Sequence, residues 1–485
     1  MKEEMMTVIT RVKELLDERS VEGYLAGGTV RDTIMGRDSD DIDIVVGAPV
    51  MELASGIADA MDGKLVPLDE ANNIARVVLH REFPLHIDFA TMRGSIEQDM
   101  ALRDFTIDAM AVNLRDVATS HEVVIDPFGG RGDIAACLVR SVSEDAFVQD
   151  PARLIRAVRL AAEFGFSLDN DTVAQIKRHA ALITQVSAER VRDDLCRILA
   201  VPQAEKWLRL LDDLGLLMQI FPELAATRGA EQPKEHYWDV LQHSFKTVSA
   251  IEFLLHMGVS EYFNNNDILS LSPWSAALKD YFAEEVSVGR RRSMLLKLVA
   301  LLHDIAKPQT KMFEESGRMR FFGHSQEGAV VVREIMDRLR FSARERGMVC
   351  GMVEHHMRPG QLSSENELPT RRAIYRYFRD TGDIAIDTVF LNLADHLAAR
   401  GPLIEYNKWR EHSDILRYVI EERFSETGIV EPLKLISGHD LIAELKMSSG
   451  PEIGRLLEAV REAQASGEVS TKEEALLLAQ RLKGS

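Results

Sequence analysis

Apolar and polar residues alternate over a short stretch near the amino terminus, 41–46. Ile42 and Ile44 occupy every second position there, with carboxylates between them. A period of two is typical of a β-strand whose successive side chains face opposite sides of a sheet. The pattern predicts a strand with Ile42 and Ile44 in the core and with Asp41 and Asp43 together on the other face.

A second stretch with the same alternation, 86–91, predicts a neighbouring strand. Its apolar residues face the core in this prediction, and Asp88 faces outward. Like charges on one face of a sheet attract a divalent cation, and hard oxygen ligands favour magnesium. Asp41, Asp43 and Asp88 therefore predict a site for two Mg²⁺ ions, which in nucleotidyl transfer activate a hydroxyl and neutralise phosphate charge.

Two glycines, Gly27 and Gly28, follow a short apolar segment at 24–26 and precede a predicted helix. Glycine allows the backbone to turn tightly and to present N–H groups to an anion. This turn suits a triphosphate. Because such pairs also occur in ordinary turns, the prediction depends on the carboxylates that follow it.

Helical patterning begins near 146. Asp150 followed by Pro151 predicts an N-cap and the first residue of a helix. Apolar residues then recur at helical spacing over 154–162, which indicates an amphipathic helix. Basic residues form a second stripe on this helix, at Arg153, Arg156 and Arg159.

The composition is that of a globular protein with several domains. At 485 residues and 46% apolar content, the chain is too long for one core and predicts three or four domains. It has no apolar run long enough to cross a bilayer, and its first residues lack the pattern of a secretion signal. These features predict a cytoplasmic protein without a membrane partner. The three scattered cysteines argue against a disulfide framework or a zinc ribbon.

The net charge of −19 is unfavourable for nucleic-acid binding unless positive charge is clustered locally. Basic clusters occur at 177–178, at 290–292 and at 371–379, the last interleaved with aromatic residues. Each cluster is either a solvated helix face or an RNA contact.

Several motifs occur in an order that resembles the bacterial tRNA nucleotidyltransferase/poly(A) polymerase family. They are Gly27-Gly28-x-Val30-Arg31-Asp32, the Asp41/Asp43 pair, Arg-Asp-Phe-Thr-Ile-Asp-Ala at 103–109, Asp-Pro-Phe-Gly-Gly at 126–130 and Asp150-x-x-Arg153. The resemblance spans about 1–225. It implies a head domain with a DNA-polymerase-β-like fold that adds nucleotides to an RNA 3′ end without a template.

The resemblance also implies roles for individual residues. Asp41 and Asp43 would hold two magnesium ions, and Asp88 would serve as a further ligand or as the base for the primer hydroxyl. The residues implied to position the triphosphate and the ribose are Gly27, Gly28, Arg31, Asp32, Arg103 and Asp104. The residues implied to bind the incoming base are Asp150 and Arg153, and Arg156 is a further predicted nucleotide-binding residue. A carboxylate accepts from an exocyclic amine and a guanidinium donates to a ring nitrogen or carbonyl, which suits cytosine or adenine.

The chain departs from the family pattern at Leu102 and Gln149, where the family has Arg and Glu, and at Asp108, where it has Asn. An acid at position 108 is unfavourable near a triphosphate unless a metal or an arginine offsets its charge. The interval Arg93–Arg103 is also short, and a capping box at Ser95–Gln98 predicts that a helix begins at once. Members of the family that add only the two cytidines often have this interval shortened.

A second set of residues resembles the HD phosphohydrolase superfamily: His243, His303, Asp304 and Asp395. Helical patterning surrounds each of them, so the ligands can converge from different helices onto one cation. Imidazole ligands suit a divalent transition metal such as Mn²⁺, Ni²⁺ or Co²⁺. Further potential ligands, enough for a second ion, are His324, His355 and His356.

This second resemblance covers 231–401. HD domains hydrolyse phosphoesters with a metal-activated water. In nucleotidyltransferases that carry this domain, the implied substrates are small phosphoesters, including 2′,3′-cyclic nucleotides and RNA ends. A structural HD module that only helps to hold tRNA is the alternative.

Together these patterns predict an α+β fold in four domains: a polymerase-β-like nucleotidyltransferase head at 1–140, a helical neck for base and RNA recognition at 141–228, an HD domain at 229–410 and a small helical tail at 411–485. The expected activity is template-independent addition of C and A from CTP and ATP to the tRNA 3′ end, with a further metal-dependent phosphohydrolase activity. The alternatives are CC-only or A-only addition, polyadenylation, nucleotidyl transfer to a small molecule, and an HD phosphohydrolase with a degenerate RNA-binding head.

Overall fold

The computed structural model describes residues 3–38, 41–70, 73–79, 85–117, 123–258, 266–362, 367–425, 430 and 432–483. The chain forms two compact units. Unit 1 comprises Met1–Asp194 and Leu210–Ile220, and unit 2 comprises Leu195–Arg209 and Phe221–Ser485. The α+β class is confirmed, because a mixed sheet lies near the amino terminus and the remainder is mostly helical. The division into four domains stays a prediction.

Unit 1 is built on a mixed sheet. Its strands, within the described ranges, are β1 (Gly23–Ala26), β2 (Asp41–Val46), β3 (Gly63–Asp69), β4 (Ile74–Leu79), β5 (Leu85–Thr91), β6 (Ala111–Asn113) and β7 (Val124–Ile125). Their order across the sheet is β3-β4-β5-β2-β1-β6-β7. β2 and β5 pair in parallel, and the other neighbouring strands pair antiparallel. The strands predicted at 41–46 and at 86–91 are confirmed, and they are neighbours.

Helices pack against this sheet and continue along the chain beyond it. They are α1 (Glu3–Glu18), α2 (Gly28–Ile34), α3 (Val50–Ala60), α4 (Ile96–Ala101), α5 (Gly130–Ala135), α6 (Ala146–Gln149), α7 (Arg153–Phe164), α8 (Asn170–His179), α9 (Ala188–Ala200), α10 (Ala204–Asp213) and α11 (Leu217–Ile220), of which α9 and α10 are divided between the two units. A two-stranded pairing joins β8 (Leu138–Val139) to β9 (Ser167–Leu168). Val8 and Val12 of α1 and Ile57 of α3 share one buried core with Ile44 and Phe89 of the sheet. This core holds β2 and β5 in place from one side and leaves the carboxylates on the other.

The predicted N-cap at Asp150 is wrong. α6 ends at Gln149, Asp150 has an extended backbone, and α7 begins only at Arg153 with Ala152 as its N-cap. A residue before proline is driven out of the helical conformation, so Pro151 separates the two helices at Asp150. The Asp150 carboxylate still accepts from the Ala152 N–H at 3.1 Å.

Unit 2 is almost entirely helical. Its helices are α12 (Val240–Leu254), α13 (Asn266–Leu271), α14 (Ala276–Ala283), α15 (Arg292–Leu302), α16 (His324–Arg338), α17 (Ala343–His355), α18 (Arg371–Thr381), α19 (Ala385–Arg400), α20 (Tyr406–Phe424), α21 (Gly438–Leu445), α22 (Pro451–Ala465) and α23 (Lys472–Leu482). Two small hairpins accompany them: β10 (Glu285–Ser287) with β11 (Arg290–Arg291), and β12 (Lys311–Phe313) with β13 (Met319–Phe321). In the described ranges, none of the helices is both long and apolar enough to span a membrane.

A buried ion pair ties α15 to α19. Arg292, at the start of α15, is fully buried, and its Nη1 lies 2.8 Å from Oδ2 of the equally buried Asp387 on α19. Tyr281 donates to the same Asp387 oxygen at 2.5 Å. Asp383 accepts from the other terminal nitrogen of Arg292 at 2.9 Å. The pair matters for function because the residues at the far ends of these two helices belong to the HD motif.

We expect Asp387→Ala to lower the free energy of unfolding of unit 2 by about 3–5 kcal/mol, because it leaves the buried Arg292 guanidinium without its buried partner. The matched control is Asp383→Ala, since that side chain is 60% exposed although it binds the same arginine. This control should lower the free energy of unfolding by less than about 1 kcal/mol. Urea unfolding followed by circular dichroism measures both variants. Equal losses would contradict the dependence on the buried pair.

Candidate functional site

Three carboxylates meet on the open face of the unit 1 sheet. The parallel pairing of β2 and β5 places Asp43 directly opposite Asp88, with Asp41 two residues before Asp43 on the same face. The residues that precede Asp43 and Asp88, Ile42 and Ile87, are fully buried. The register therefore places all three acids of the predicted metal site on one face of the sheet. Among the described residues, their oxygens do not all lie within 4.8 Å of one another, as the ligand atoms of the HD residues do.

The environment of Asp43 fits a cation. Burial, together with the nearby charges of Asp88, Asp108 and Asp41, raises the pKa of Asp43 to about 6 against the opposing effect of Arg103. A raised pKa means that the ionised carboxylate is destabilised, because the site has too little positive charge to offset it. A divalent cation held by oxygen ligands would supply it.

An arginine that the sequence analysis missed holds the third carboxylate. Arg76 donates from Nε to Oδ1 of Asp88 at 2.7 Å and from Nη2 to Oδ2 at 2.8 Å. It faces Asp88 across the pairing of β4 with β5. The available signal was the alternation in 74–79, where Arg76 lies between the buried Ala75 and Val77. Asp88 is therefore oriented before any ligand arrives, and each of its oxygens keeps a lone pair.

The glycine turn lies against this cluster. Gly27 has a φ of 63° and serves as the N-cap of α2. A Cβ at Gly27 would come within 2.5 Å of Nη1 of Arg103, and a Cβ at Gly28 would lie 3.3 Å from Oδ2 of Asp43. Glycine is therefore required at position 27 both by its backbone conformation and by the approach of Arg103. The turn, Arg103 and Asp43 form one continuous site.

The acid at position 108 is offset by an arginine. The Arg31 guanidinium forms an ion pair with Asp108 and another with Asp32, the latter with Nε 3.0 Å from Oδ1. It also lies over the Phe164 ring, 4.5 Å from the ring centroid. Burial raises the pKa of the Asp108 carboxyl, while the charge of Arg31 opposes that rise. The departure from the family pattern at position 108 thus comes with a compensating partner for the acid.

The residues implied to bind the base are anchored, but not to one another. Asp150 binds Arg190, with Oδ2 2.7 Å from Nη2. Arg153 donates to the Leu102 carbonyl at 2.7 Å, and Arg156 donates to Asp104 at 2.9 Å. Arg190, which lies on α9, was not predicted as part of this site, because no sequence pattern links it to Asp150.

Most of the basic clusters considered as RNA contacts bind acids within the protein. Arg292 is buried against Asp387, as described above. Several arginines of α18 bind glutamates of α22, with Arg372 3.0 Å and Arg376 2.5 Å from Glu462. Lys177 and Arg178 on α8 are exposed and have no ion-pair partner in the part of the chain that the structure describes.

The HD residues converge in unit 2. His243 comes from α12, His303 and Asp304 follow α15 directly, and Asp395 comes from α19. Nε2 of His243 lies 2.9 Å from Oδ1 of Asp395, and Nε2 of His303 lies 3.1 Å from Oδ2 of Asp304. One ligand atom from each of the four residues falls within 4.8 Å of all the others. This is the spacing of a shared cation.

The chemistry of these atoms also fits a metal ion. Among the described residues, Nε2 of His243 and of His303 and both oxygens of Asp304 are buried and make no hydrogen bond of good geometry. The Lys307 ammonium lies 2.6 Å from Oδ2 of Asp304 and offsets part of its charge. Burial alone would lower the pKa of His303, but Asp304 and Asp395 outweigh it and raise that pKa to about 10. The pocket thus stabilises a positive charge, which a cation with imidazole and carboxylate ligands would provide.

A second group shares Asp304. His324 and His356 lie with Nε2 at 3.5 and 3.8 Å from Oδ1 of Asp304, whereas His243 and His303 lie near its Oδ2. Backbone carbonyls contact Nδ1 of His324 and of His356 at 2.7 Å each, which directs both Nε2 atoms inward. Burial lowers the pKa of His356 to about 3, so its imidazole is neutral as a ligand must be. His355 belongs to neither group and lies half-buried at a neighbouring cavity.

Comparison with known proteins decides the family. The chain is 32% identical to the CC-adding tRNA nucleotidyltransferase of Thermus thermophilus over 94% of this chain and 92% of that one. The chain belongs to the tRNA nucleotidyltransferase family. It is also 30% identical to the A-adding tRNA nucleotidyltransferase of Deinococcus radiodurans over 94% of each chain. The predicted family and the predicted nucleotidyltransferase activity are confirmed.

Family models match successive parts of this tRNA nucleotidyltransferase. They describe a poly A polymerase head domain at 23–140, a probable RNA and SrmB-binding site of polymerase A at 165–227, an HD domain at 276–400 and a putative tRNA nucleotidyltransferase domain 2 at 403–479. Both the nucleotidyltransferase and the HD families are metal-dependent. The chain therefore joins a nucleotidyltransferase to an HD domain.

Solved structures show the same fold. The Thermotoga maritima CCA-adding enzyme complexed with tRNA aligns with a TM-score of 0.62 at 20% identity, covering 99% of this chain and 96% of that one. A CCA-adding enzyme in complex with CTP aligns with a TM-score of 0.65 at 19% identity, covering 100% of this chain and 97% of that one. At these identities the likeness concerns the fold of the family.

The shared position of Asp304 makes a testable prediction about metal content. We expect Asp304→Ala to abolish binding at both groups, whereas His243→Ala should remove one cation and His356→Ala the other. Co²⁺ is the probe, because its absorption reports imidazole ligation and metal analysis counts the bound ions. The matched control is His355→Ala, which should keep the full metal content. If His355→Ala loses a cation and His356→Ala loses none, the ligand of the second group is His355 and not His356.

Proposed function

We propose that this tRNA nucleotidyltransferase adds the two cytidines of the tRNA 3′ end from CTP and stops before the terminal adenosine. The observation that carries the proposal is the interval between β5 and α4. β5 ends at Thr91 and α4 begins at Ile96, with Ser95 as its N-cap in a capping box with Gln98. Three residues thus separate the strand from the cap, which leaves no room for a long flexible segment.

Hydrogen bonds within the interval between β5 and α4 also fix its conformation. The Arg93 N–H donates to Asp99 at 3.2 Å, and the Ser95 N–H donates to Gln98 at 3.0 Å. Gly94 has a φ of 78°, and a Cβ there would overlap Oε1 of Gln98 at 2.0 Å. Family members that add the complete CCA usually carry a longer flexible segment at this place, and members that add only cytidine often have it shortened.

The relatives support the same mode. Besides the Thermus protein, CC-adding tRNA nucleotidyltransferases of Geobacter sulfurreducens and Synechocystis are each 28% identical to this chain over more than nine-tenths of it. Two other modes of addition remain alternatives. The A-adding Deinococcus relative favours A-only addition, and the CCA-adding structural neighbours favour addition of the complete CCA.

The carboxylates of β2 and β5 support the chemistry of transfer. Asp41 and Asp43 would hold Mg²⁺, with Asp88 as a further ligand or as the base for the primer hydroxyl. The bound ions would neutralise the triphosphate and favour ionisation of the hydroxyl. The tRNA 3′ oxygen bonds to the α-phosphorus as the bond to pyrophosphate breaks. Arg76 keeps Asp88 in place for this step.

The remaining residues of the site would bind the nucleotide. The glycine turn at Gly27 and Gly28 and the guanidinium of Arg103 lie beside Asp43, where the triphosphate would lie. The Gly27 N–H donates to the Met110 carbonyl at 3.2 Å, so it is already used within the protein. Arg31 and Asp32 would position the ribose and phosphates, with Asp104 holding Arg156. Asp150 would accept from the cytosine N4 amine, and the guanidinium of Arg153 would donate to the ring nitrogen and carbonyl.

A second activity is proposed for the HD domain: hydrolysis of phosphoesters at the two metal groups. The ligands would be His243, His303, Asp304 and Asp395 for one ion and Asp304, His324 and His356 for the other. Mn²⁺, Ni²⁺ or Co²⁺ suits their mixture of imidazole and carboxylate. The convergence of buried imidazole nitrogens and carboxylate oxygens within 4.8 Å supports metal chemistry over a purely structural role, since few of these atoms have a well-formed hydrogen bond in place of a cation.

We expect Asp43→Ala to abolish nucleotide incorporation into tRNA without unfolding the protein, because it removes a central oxygen ligand from the sheet face. Incorporation of labelled CTP in the presence of Mg²⁺ measures the loss, and circular dichroism measures folding. Asp59→Ala is the matched control, since Asp59 is an exposed aspartate on α3, and it should retain full incorporation. Wild-type turnover by the Asp43 variant would refute the assignment of the sheet face and favour a degenerate head.

The mode of addition is tested with three tRNA transcripts that lack CCA, CA or A. With CTP and ATP together, the first should grow by two cytidines and the second by one, while the third should not grow. Product lengths are read at single-nucleotide resolution. Growth of any transcript to the complete CCA would refute CC-only addition, and adenosine added to the third transcript alone would favour the A-adding mode.

A further inference from the structure

A cavity of about 980 Å³ lies beside the two metal groups of unit 2 and is lined in part by Asp395 and His324. Its described lining carries five cationic side chains, at Lys307, Arg318, Arg320, Arg358 and Arg400, against three acidic ones. This balance is the reverse of that of the whole chain, in which acidic residues outnumber basic ones by 77 to 58. Lys307, Arg320 and Arg358 bind Asp304, Glu314 and Asp380, so within the described ranges Arg318 and Arg400 are the lining cations left to attract an anionic ligand.

One aromatic residue in this lining is left exposed. Phe322 lies just after β13, and its side chain is 63% exposed at the cavity. Its neighbours in the chain belong to the second metal group, since the Phe321 carbonyl contacts Nδ1 of His324 at 2.7 Å. Gly323, with a φ of 77°, joins Phe322 to His324 at the start of α16. Phe322 is therefore held a short, fixed distance along the backbone from a candidate metal ligand.

Phe322 has no obvious structural purpose at this place, because an exposed aromatic ring beside cationic groups gains little from packing. An aromatic face beside positive charge is the arrangement by which proteins stack unpaired nucleobases. We propose that Phe322 stacks on the base of a nucleotide whose phosphate lies at the HD metal groups, so that this centre selects nucleoside phosphoesters over phosphoesters without a base. The proposal rests on the phosphoester chemistry proposed above for the HD domain.

Arg318 and Arg320 extend the same surface along the β12–β13 hairpin. Arg320 is held by Glu314, with Nε 3.0 Å from Oε1. Arg318 is exposed, and its guanidinium has no ion-pair partner within the described ranges. A guanidinium left available beside an exposed ring can bind the phosphate of an adjoining nucleotide. The surface therefore fits either a free nucleotide or the end of an RNA strand.

The test compares two ligands that differ by the base alone, AMP and ribose 5-phosphate. Their binding to the full-length protein is followed through the absorption of Co²⁺ in the HD domain, which does not respond to nucleotide bound elsewhere. We expect AMP to bind roughly 5- to 100-fold more tightly than ribose 5-phosphate, as the stacking of one base allows. Phe322→Ala should remove this preference and leave the affinity for ribose 5-phosphate unchanged, and Phe322→Trp should restore the preference.

The matched control is Phe313→Ala. Phe313 lies on the same hairpin and is 61% exposed, but it is not part of the cavity lining. The control should keep the full preference for AMP. An unchanged preference in Phe322→Ala, or an equal loss of affinity for both ligands, would overturn the stacking proposal alone. If neither ligand changes the Co²⁺ absorption, the stacking proposal and the proposed phosphoester chemistry both fail.

An RNA trinucleotide with a 3′-phosphate distinguishes the two sources of the nucleotide. Tighter binding of the trinucleotide than of AMP, with the gain lost in Arg318→Ala, assigns an RNA end as the ligand. Equal binding assigns a free nucleotide. Either result supports stacking only if Phe322→Ala weakens binding of the ligand. If the trinucleotide binds Phe322→Ala as tightly as it binds the wild-type protein, the stacking proposal is overturned.

Discussion

The parallel pairing of β2 with β5 is the constraint on which the nucleotidyltransferase site depends. Its register sets Asp43 opposite Asp88, and a slip of one residue would turn the acids of that strand into the core. This arrangement disfavours ionised carboxylates: burial first, and repulsion from Asp88, Asp108 and Asp41 second, raise the pKa of Asp43. The buried core beneath the sheet holds the strands together against that repulsion, while Arg76 and Arg103 reduce it from above.

Arginines in this chain serve mainly as partners for acids. Arg31 offsets Asp108 in the nucleotide site, Arg292 binds Asp387 in the helical unit, and Arg376 binds Glu462 near the carboxyl terminus. In a protein with a net charge of −19, such pairs leave few cations for RNA. Contact with a tRNA phosphate backbone therefore has to use local groups without acidic partners, as on α8, rather than a broad positive surface.

The two candidate metal sites concentrate negative charge by different means. The sheet offers oxygen ligands alone, in a half-exposed place, which suits Mg²⁺ and a triphosphate. The HD domain mixes imidazoles with carboxylates in a largely buried place at the edge of a cavity, which suits a transition metal. Its ligands come from several helices, so their convergence depends on helix packing. The Arg292–Asp387 pair, which ties α15 to α19, supports that packing at the end remote from the ligands.

Local patterns in the sequence determined the strands of the carboxylate site, the glycine turn, the short interval capped by Ser95 and the residues of the HD group. Each depends on a period, a backbone preference or a motif within a few residues, which a sequence displays directly. Only the tertiary structure decided that Arg76 holds Asp88, that Arg190 holds Asp150, that His356 rather than His355 faces Asp304, and that the arginines of α18 are neutralised. These pairings join residues that are distant in the chain. The sequence contains several chemically equivalent candidates for each partner, and strand register and helix packing determine which of them comes into contact.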